Sequence, residues 1–337
     1  MLSRIAEALY WMGRYLERAD DTARLLDVYV HRMVAQSNDE RVGASLLAAM
    51  GLDGDELALF ADGADGPVDL WAATELLAYD ADNPSSVVGS LRLARENARG
   101  LREVLATEVW EALNRTYHEL DNHVRAARTL GPHLLFQWVR DRVALVGGLT
   151  DTVLLHDDGW RFLTIGRCLE RVDMTARLLG AVPPHADASR WNGVLVSCGA
   201  NDAFLRTYGG DIDQAKALSV LLLDPDFPRS VNYSLAQAEL CLEQVEGRSL
   251  PNSRRSATPR VSAAAREVGR IRSELAYTDP VDLAADLPAT VARLQAACAQ
   301  ASELITQRYF QRVAFIEWQV DLDQAIRDAE GRNEVPA

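Results

Sequence analysis

Apolar residues recur at steps of three and four along most of this chain. Leu9, Met12, Leu16, Ala19, Ala23 and Leu26 form one such stripe, and Phe162, Ile165, Leu169, Val172, Ala176 and Leu179 form another. With about 3.6 residues per turn, each set falls on one face, so both stretches predict amphipathic helices laid on a core. The first predicted helix runs to about residue 34, followed by a polar break over 36–40 and a shorter helical segment. The spacing then predicts one long helix over 91–120, interrupted in propensity only by Gly100. Gly131-Pro132 ends the helical pattern, a further helix spans 133–155, and 156–160 reads as a turn. The stretch 247–260, rich in Ser, Pro and Arg, reads as a linker; 261–278 and 288–328 return to helical spacing, with fraying at the end. Period-two alternation is nearly absent, and the expected class is all-α.

The two stripes belong to a repeated stretch. Residues 9–27, LYWMGRYLERADDTARLLD, match 162–180, FLTIGRCLERVDMTARLLG, with an offset of 153. SLLAAMGLDGDE matches GVLVSCGANDAF at an offset of 148, and LLAYDADNPSSVVGSL matches VLLLDPDFPRSVNYSL at 144. Three blocks in one order with slowly shrinking offsets predict a duplication. The expected architecture is a helical bundle built from two halves related by a pseudo-twofold axis, a single domain over 1–337 with repeats at approximately 1–131 and 132–328. Pro84 and Ser86, like Pro228 and Ser230, carry the chemistry of a helix start.

Beside each apolar stripe lies a polar one. Gly13, Glu17, Asp20 and Arg24 fall within about 60° of one another, roughly 90° from the apolar centre, at the margin of the core. The second copy repeats them as Gly166, Glu170, Asp173 and Arg177, with Arg14 and Arg18 recurring as Arg167 and Arg171. On one reading Asp20–Arg24 and Asp173–Arg177 are surface pairs of about 0.3–0.5 kcal/mol each, and Glu17 pairs with Arg14 or a neighbour. On the other, the duplication brings the helices together and Glu17, Glu170 and the arginines converge on one interior polar site. A dinuclear metal site is a third possibility, but arginines stand where such bundles place histidines, so no metal is expected. Ser86 and Ser230 are either helix caps or, with Arg229 beside them, part of a carboxylate or phosphate site. Trp110 and Asn114, one turn apart, are candidates for lining the same cavity or for ordinary packing.

Composition narrows the function. A formal net charge of −14 argues against a nucleic-acid partner. Lys216 is the only lysine, so the cations are guanidiniums suited to bidentate carboxylate contacts. No apolar run approaches the roughly 20 residues of a membrane helix, and the N-terminus lacks the features of a secretory signal; a cytoplasmic protein with no membrane association is expected. The four cysteines, widely spaced, read as buried reduced thiols. The six histidines sit in no triad context, and no glycine-rich phosphate loop is present, so no cofactor is expected.

The segments LYWMGRYLERADDTARLL, NPSSVVGSL, ENARGLREVL, EVWEALN, DDGWRFLTIGRCLERVDMTARLL and FPRSVNYSL together resemble the alpha-E family of bacteria, from residue 1 to about 310. The resemblance implies an all-helical protein encoded beside, or fused to, a circularly permuted ATP-grasp ligase and a transglutaminase-like cysteine protease, in a system that makes or modifies peptide-like amides. No ATP-grasp segment is recognised here, so the ligase is expected to be a separate polypeptide. The leading expectation is binding of a carboxylated, peptide-like substrate, or docking of the ligase, through Arg14, Arg18, Asp20, Arg24 and their counterparts Arg167, Arg171, Asp173 and Arg177, with Ser86, Arg229, Ser230, Trp110 and Asn114. An enzyme using Glu17 and Glu170 as acid and base in amide or acyl-transfer chemistry is the alternative, and a purely structural subunit the third.

Overall fold

The computed structural model describes residues 2–35, 46–51, 70–248 and 261–310, and among them every regular element is helical. Helix α1 spans Ser3–Ala35. Helix α2, Leu70–Thr74, widens into a π turn at Glu75–Tyr79. Then come α3 (Val87–Arg99), α4 (Thr107–Leu130), α5 (His133–Val153) and α6 (Asp158–Gly180). Helices α7 (Ala188–Ser197) and α8 (Asn201–Tyr208) precede α9 (Gln214–Leu218), which also widens into a π turn, Ser219–Leu223. The described part ends with α10 (Val231–Arg248), α11 (Ala263–Ala276), α12 (Pro280–Ala285) and α13 (Leu287–Ile305) with its terminal turn Thr306–Phe310.

The two helices anticipated from the repeated stretch, α1 and α6, form the centre. All twelve residues of their apolar stripes are buried. Burying one leucine contributes about 1.5–3 kcal/mol, so these stripes dominate the ordering of both helices. Their backbones touch at two glycines. A Cβ on Gly13 would lie 2.2 Å from the Leu163 carbonyl oxygen, and one on Gly166 would lie 2.1 Å from that of Tyr10. Gly13 and Gly166 therefore serve close helix packing rather than a polar function.

Around this pair, α3 and α5 pack on α1, while α10 and α13 pack on α6; α4 lies on α5, and α11 lies on α10 and α13. Side-chain caps define several starts: Ser86 accepts from Gly89 N at the head of α3, and Asp157 accepts from Gly159 N at the head of α6. Gly131, at φ 123, closes α4 ahead of Pro132. No helix among the described residues is long and apolar enough to cross a membrane.

Two expectations need correction. The helix anticipated over 91–120 is two helices, because the chain leaves α3 at Gly100 and buries Leu101 and Leu105 before α4 begins. Burial of two leucines at non-helical spacing outweighs continued helix propensity there. Pro84 precedes the capping Ser86 instead of occupying the first helical turn. Most of the linker expected at 247–260, and the chain beyond 310, lie outside the described residues.

Candidate functional site

The glutamates of α1 and α6 are gripped across the helix pair. Arg171 binds Glu17 through two parallel hydrogen bonds, Nε to Oε1 at 2.6 Å and Nη2 to Oε2 at 2.8 Å. Arg18 binds Glu170 in the same manner at 2.5 and 3.2 Å, and Arg14 adds a bond from Nε to Glu170 Oε2 at 2.5 Å. Arg171 also donates to the Pro228 carbonyl, and Arg18 to that of Pro84, tying each pair to the loop that starts α10 or α3. Glu17 and Glu170 are only 3% and 1% exposed, which excludes the surface-pair reading for them, and Arg14 pairs with Glu170 rather than with Glu17. Burial alone raises both carboxyls, but the guanidiniums reverse it. Arg171 and Arg229 hold Glu17 down at about 2, and Arg14 and Arg18 keep Glu170 below the ordinary range.

The two glutamates do not share a site. A cavity of about 190 Å³ opens between α1, α5 and α6, lined on the polar side by Glu17, Asp20, Arg24, Asp151, Arg167, Arg171 and Arg229. Gly147, Gly148, Val143 and Ala144 of α5 form the opposite wall. Glu170 is absent from this lining, as are Arg14, Arg18, Asp173 and Arg177. On their side of the helix pair Arg14 Nη1 donates to Tyr10 Oη at 3.2 Å and to Ser302 Oγ of α13 at 2.9 Å. Asp173 and Arg177 form an (i, i+4) pair at 2.9 Å, with Arg177 reaching the Met50 carbonyl. Glu17 and Glu170 have no arginine in common, so the expected convergence on one interior site does not occur.

Arg229 completes the cavity from the loop before α10. It donates to the Cys198 carbonyl at 3.0 Å, to Asp20 Oδ2 at 3.0 Å and to Asp21, and its Nη1 lies 3.4 Å from Glu17. Arg24 also donates to Asp20 Oδ2, at 2.8 Å, while Asp20 Oδ1 is buried without a hydrogen-bond partner among the described residues. Burial pushes the Asp21 carboxyl up to about 8; Arg229 pulls it down, and the neighbouring Glu17 and Asp20 charges push it up again.

The remaining candidates do not reach the cavity. Ser86 Oγ donates to the Asp80 carbonyl and accepts from Gly89 N, and Ser230 Oγ donates to the Asp224 carbonyl and accepts from Tyr233 N. Both hydroxyls are consumed by the turn and cap, which leaves none for a ligand. Trp110 and Asn114 sit instead with Arg95, which donates to Asn114 Oδ1 and stacks over Trp110 at 5.5 Å. The four cysteines are free and buried; burial pushes Cys198 and Cys241 up to about 12, which keeps them as thiols.

Carboxylate oxygens of Glu17, Asp20 and Asp21 lie within 4.8 Å of one another. Each residue already accepts from an arginine, and Arg229 touches all three, so the donor set does not fit a dication. Asp21, Asp151 and Gly147 were not anticipated from the sequence. Asp21 did carry a signal: it stands where the second copy has Met174, and Arg229 stands where the first has Ser85. The two departures from the repeat meet in a hydrogen bond from Arg229 to Asp21.

These reciprocal grips join two Glu-Arg dipeptides, Glu17-Arg18 and Glu170-Arg171. The family model that matches residues 1–310 is described as a predicted alpha-helical domain with a conserved ER motif. The chain belongs to the Alpha-E family. Among similar proteins are uncharacterized proteins of Mycobacterium bovis and Mycobacterium tuberculosis, each 28% identical over 270 residues, or 73% of this chain. That alignment covers 30% of each relative's length, so this Alpha-E chain spans under a third of the curated relatives it matches. No solved structure matches it significantly.

Proposed function

We propose that this Alpha-E protein is the ligand-recognising helical component of an ATP-grasp-associated system for peptide or amide synthesis or modification, and that its ligand is a small carboxylated, peptide-like molecule held between α1, α5 and α6. The carrying observation is the 190 Å³ cavity walled by four guanidiniums and three carboxylates. It is somewhat larger than the about 150 Å³ that admits benzene, which suits an amino-acid-sized group rather than an extended chain. Guanidiniums fixed by buried carboxylates are preorganised, so little ordering cost falls on binding. The protein is one domain whose halves, 1–131 and 132–328, arose by duplication about a pseudo-twofold axis. Support comes from the paired use of Arg18 with Pro84 and Arg171 with Pro228, and from the matched π turns before Asp80 and Asp224. In that arrangement α1 and α6 are counterparts, as are α3 and α10. A cytoplasmic setting, a separate ATP-grasp ligase and a transglutaminase-like protease complete the proposal.

Acid–base catalysis by Glu17 and Glu170 is the weaker reading, since arginines hold both ionised and only Glu17 meets the cavity. The test is co-purification with an ATP-grasp ligase from the same source, followed by mass spectrometry of the retained small molecules. A retained carboxylate that disappears when the cavity is filled by Gly147→Leu is the expected result. Retention unaffected by that substitution overturns the site.

A further inference from the structure

Arg14 and Arg167 occupy the same place in the repeated stretch, yet they are employed differently. Arg14 has a side chain only 10% exposed and is committed to Glu170, Tyr10 and Ser302. Arg167 is 23% exposed and lines the cavity; its one hydrogen-bond partner among the described residues is Asp151, at 3.4 Å. That is long for a charge-assisted bond, which ordinarily closes to about 2.7–2.9 Å. Glu17 is already held by Arg171 and Arg229, so the fold makes no comparable use of Arg167.

We infer that Arg167 is the seat of the ligand's carboxylate, which takes this guanidinium from Asp151, so that binding is an exchange of an internal carboxylate for an external one. The inference rests on the cavity being a peptide-like ligand site and specifies the group that is recognised there. Three observations support the exchange. Asp151 is held loosely: its side chain is 47% exposed and, among the described residues, accepts besides Arg167 only from Trp160 Nε1 at 3.2 Å. Space lies in front of the guanidinium, because the wall facing it is Gly147, whose added Cβ would still stand 3.9 Å from Arg167 Nη2. The lining is rich in guanidiniums: Arg24, Arg167, Arg171 and Arg229 face Glu17, Asp20 and Asp151, and Arg171 and Arg229 are held by Glu17, Asp20 and Asp21 while Arg167 has only Asp151 among the described residues. The planar, forked donor suits a carboxylate, and one loosely held guanidinium offers a seat for a single such group. Asp151 keeps the hydrogen bond from Trp160 Nε1 when Arg167 leaves it, so the displaced carboxylate is not stranded.

The experiment is equilibrium dialysis of the full chain against a mixed library of dipeptides with free C-termini, the same library with C-terminal amides, and inorganic phosphate, read by mass spectrometry and phosphate assay. Wild type, Arg167→Gln and Asp151→Asn are compared, with far-UV circular dichroism as the folding control. The wild type retains acids at least about tenfold better than amides, and Arg167→Gln loses at least about tenfold, as expected for a charge-assisted pair. Asp151→Asn removes the competitor and tightens acid binding about two- to fivefold, the scale of an exposed ion pair. A merely structural Asp151 predicts weaker or unchanged binding instead. Equal retention of acids and amides, or weakened binding in Asp151→Asn, overturns the carboxylate seat while leaving the peptide reading intact. Phosphate displacing the acids overturns the anion class. Retention of neither library overturns the seat and the peptide reading together.

Discussion

Arg171 and Glu17, 154 residues apart in sequence, meet through two hydrogen bonds of 2.6 and 2.8 Å, both side chains nearly buried. Removing the charge from one member of such a buried pair leaves guanidiniums without a counter-ion, at about 3–5 kcal/mol. Glu17→Gln and Glu170→Gln each carry that cost, measured by urea denaturation with unchanged m-value. A loss under about 1 kcal/mol would return these glutamates to the surface-pair category.

Gly13→Ala and Gly166→Ala test the close approach of α1 and α6. Alanine favours a helix by roughly 1 kcal/mol over glycine, so an isolated helix would gain. Here the added methyl meets backbone oxygen at 2.2 or 2.1 Å, which no side-chain rotation relieves. Each variant is expected to lose about 1–3 kcal/mol or more in thermal or chemical unfolding.

Stability depends on pH with opposite signs at two neighbouring carboxyls. Glu17 is depressed from 4.5 to about 2, so its stabilisation is fully present above 4.5 and is lost as pH falls through 2. The window corresponds to a loss on the order of 3 kcal/mol, absent in Glu17→Gln. Asp21 is raised from 3.8 to about 8, so between those values the folded state keeps a proton that the unfolded chain has released. Stability from this group falls with rising pH, and Asp21→Asn flattens that slope. Melting curves from pH 2 to 9 on wild type and both variants check the two signs.

Gly147→Leu fills the cavity without changing its charge. The position is helical and an added Cβ meets no atom closer than Arg167 Nη2 at 3.9 Å, so the variant is expected to stay folded with stability near that of the wild type while losing ligand retention. Loss of stability together with loss of binding would indicate a damaged fold rather than an occupied site.

Divalent cations are expected to leave the melting temperature unchanged. Arg229 stands against Glu17, Asp20 and Asp21, and a dication there would have to displace or oppose it. Differential scanning fluorimetry with manganese, magnesium and zinc, together with elemental analysis, reads this directly. A saturable upward shift with near-stoichiometric metal would contradict it.

The sequence by itself determined the central helices, because apolar residues at three- and four-residue steps have one low-energy arrangement: helical, with Leu9 to Leu26 and Phe162 to Leu179 turned inward. Recurrence of Glu17, Arg18, Glu170 and Arg171 also marked the polar stripe, since a solvated face does not require the same types twice. Only the tertiary structure decided which charge holds which. Local spacing offered Arg14 as a partner for Glu17, whereas helix packing brought Arg171 across from α6. Packing likewise opened one side of the pair. Whether the margin of a helix becomes a cavity depends on the next layer, and there α5 presents Gly147 while α13 presents Ser302 to Arg14. Gly100 marked a weak point in the helix anticipated over 91–120, but the burial of Leu101 and Leu105, a long-range effect invisible to helical period, turned it into a break.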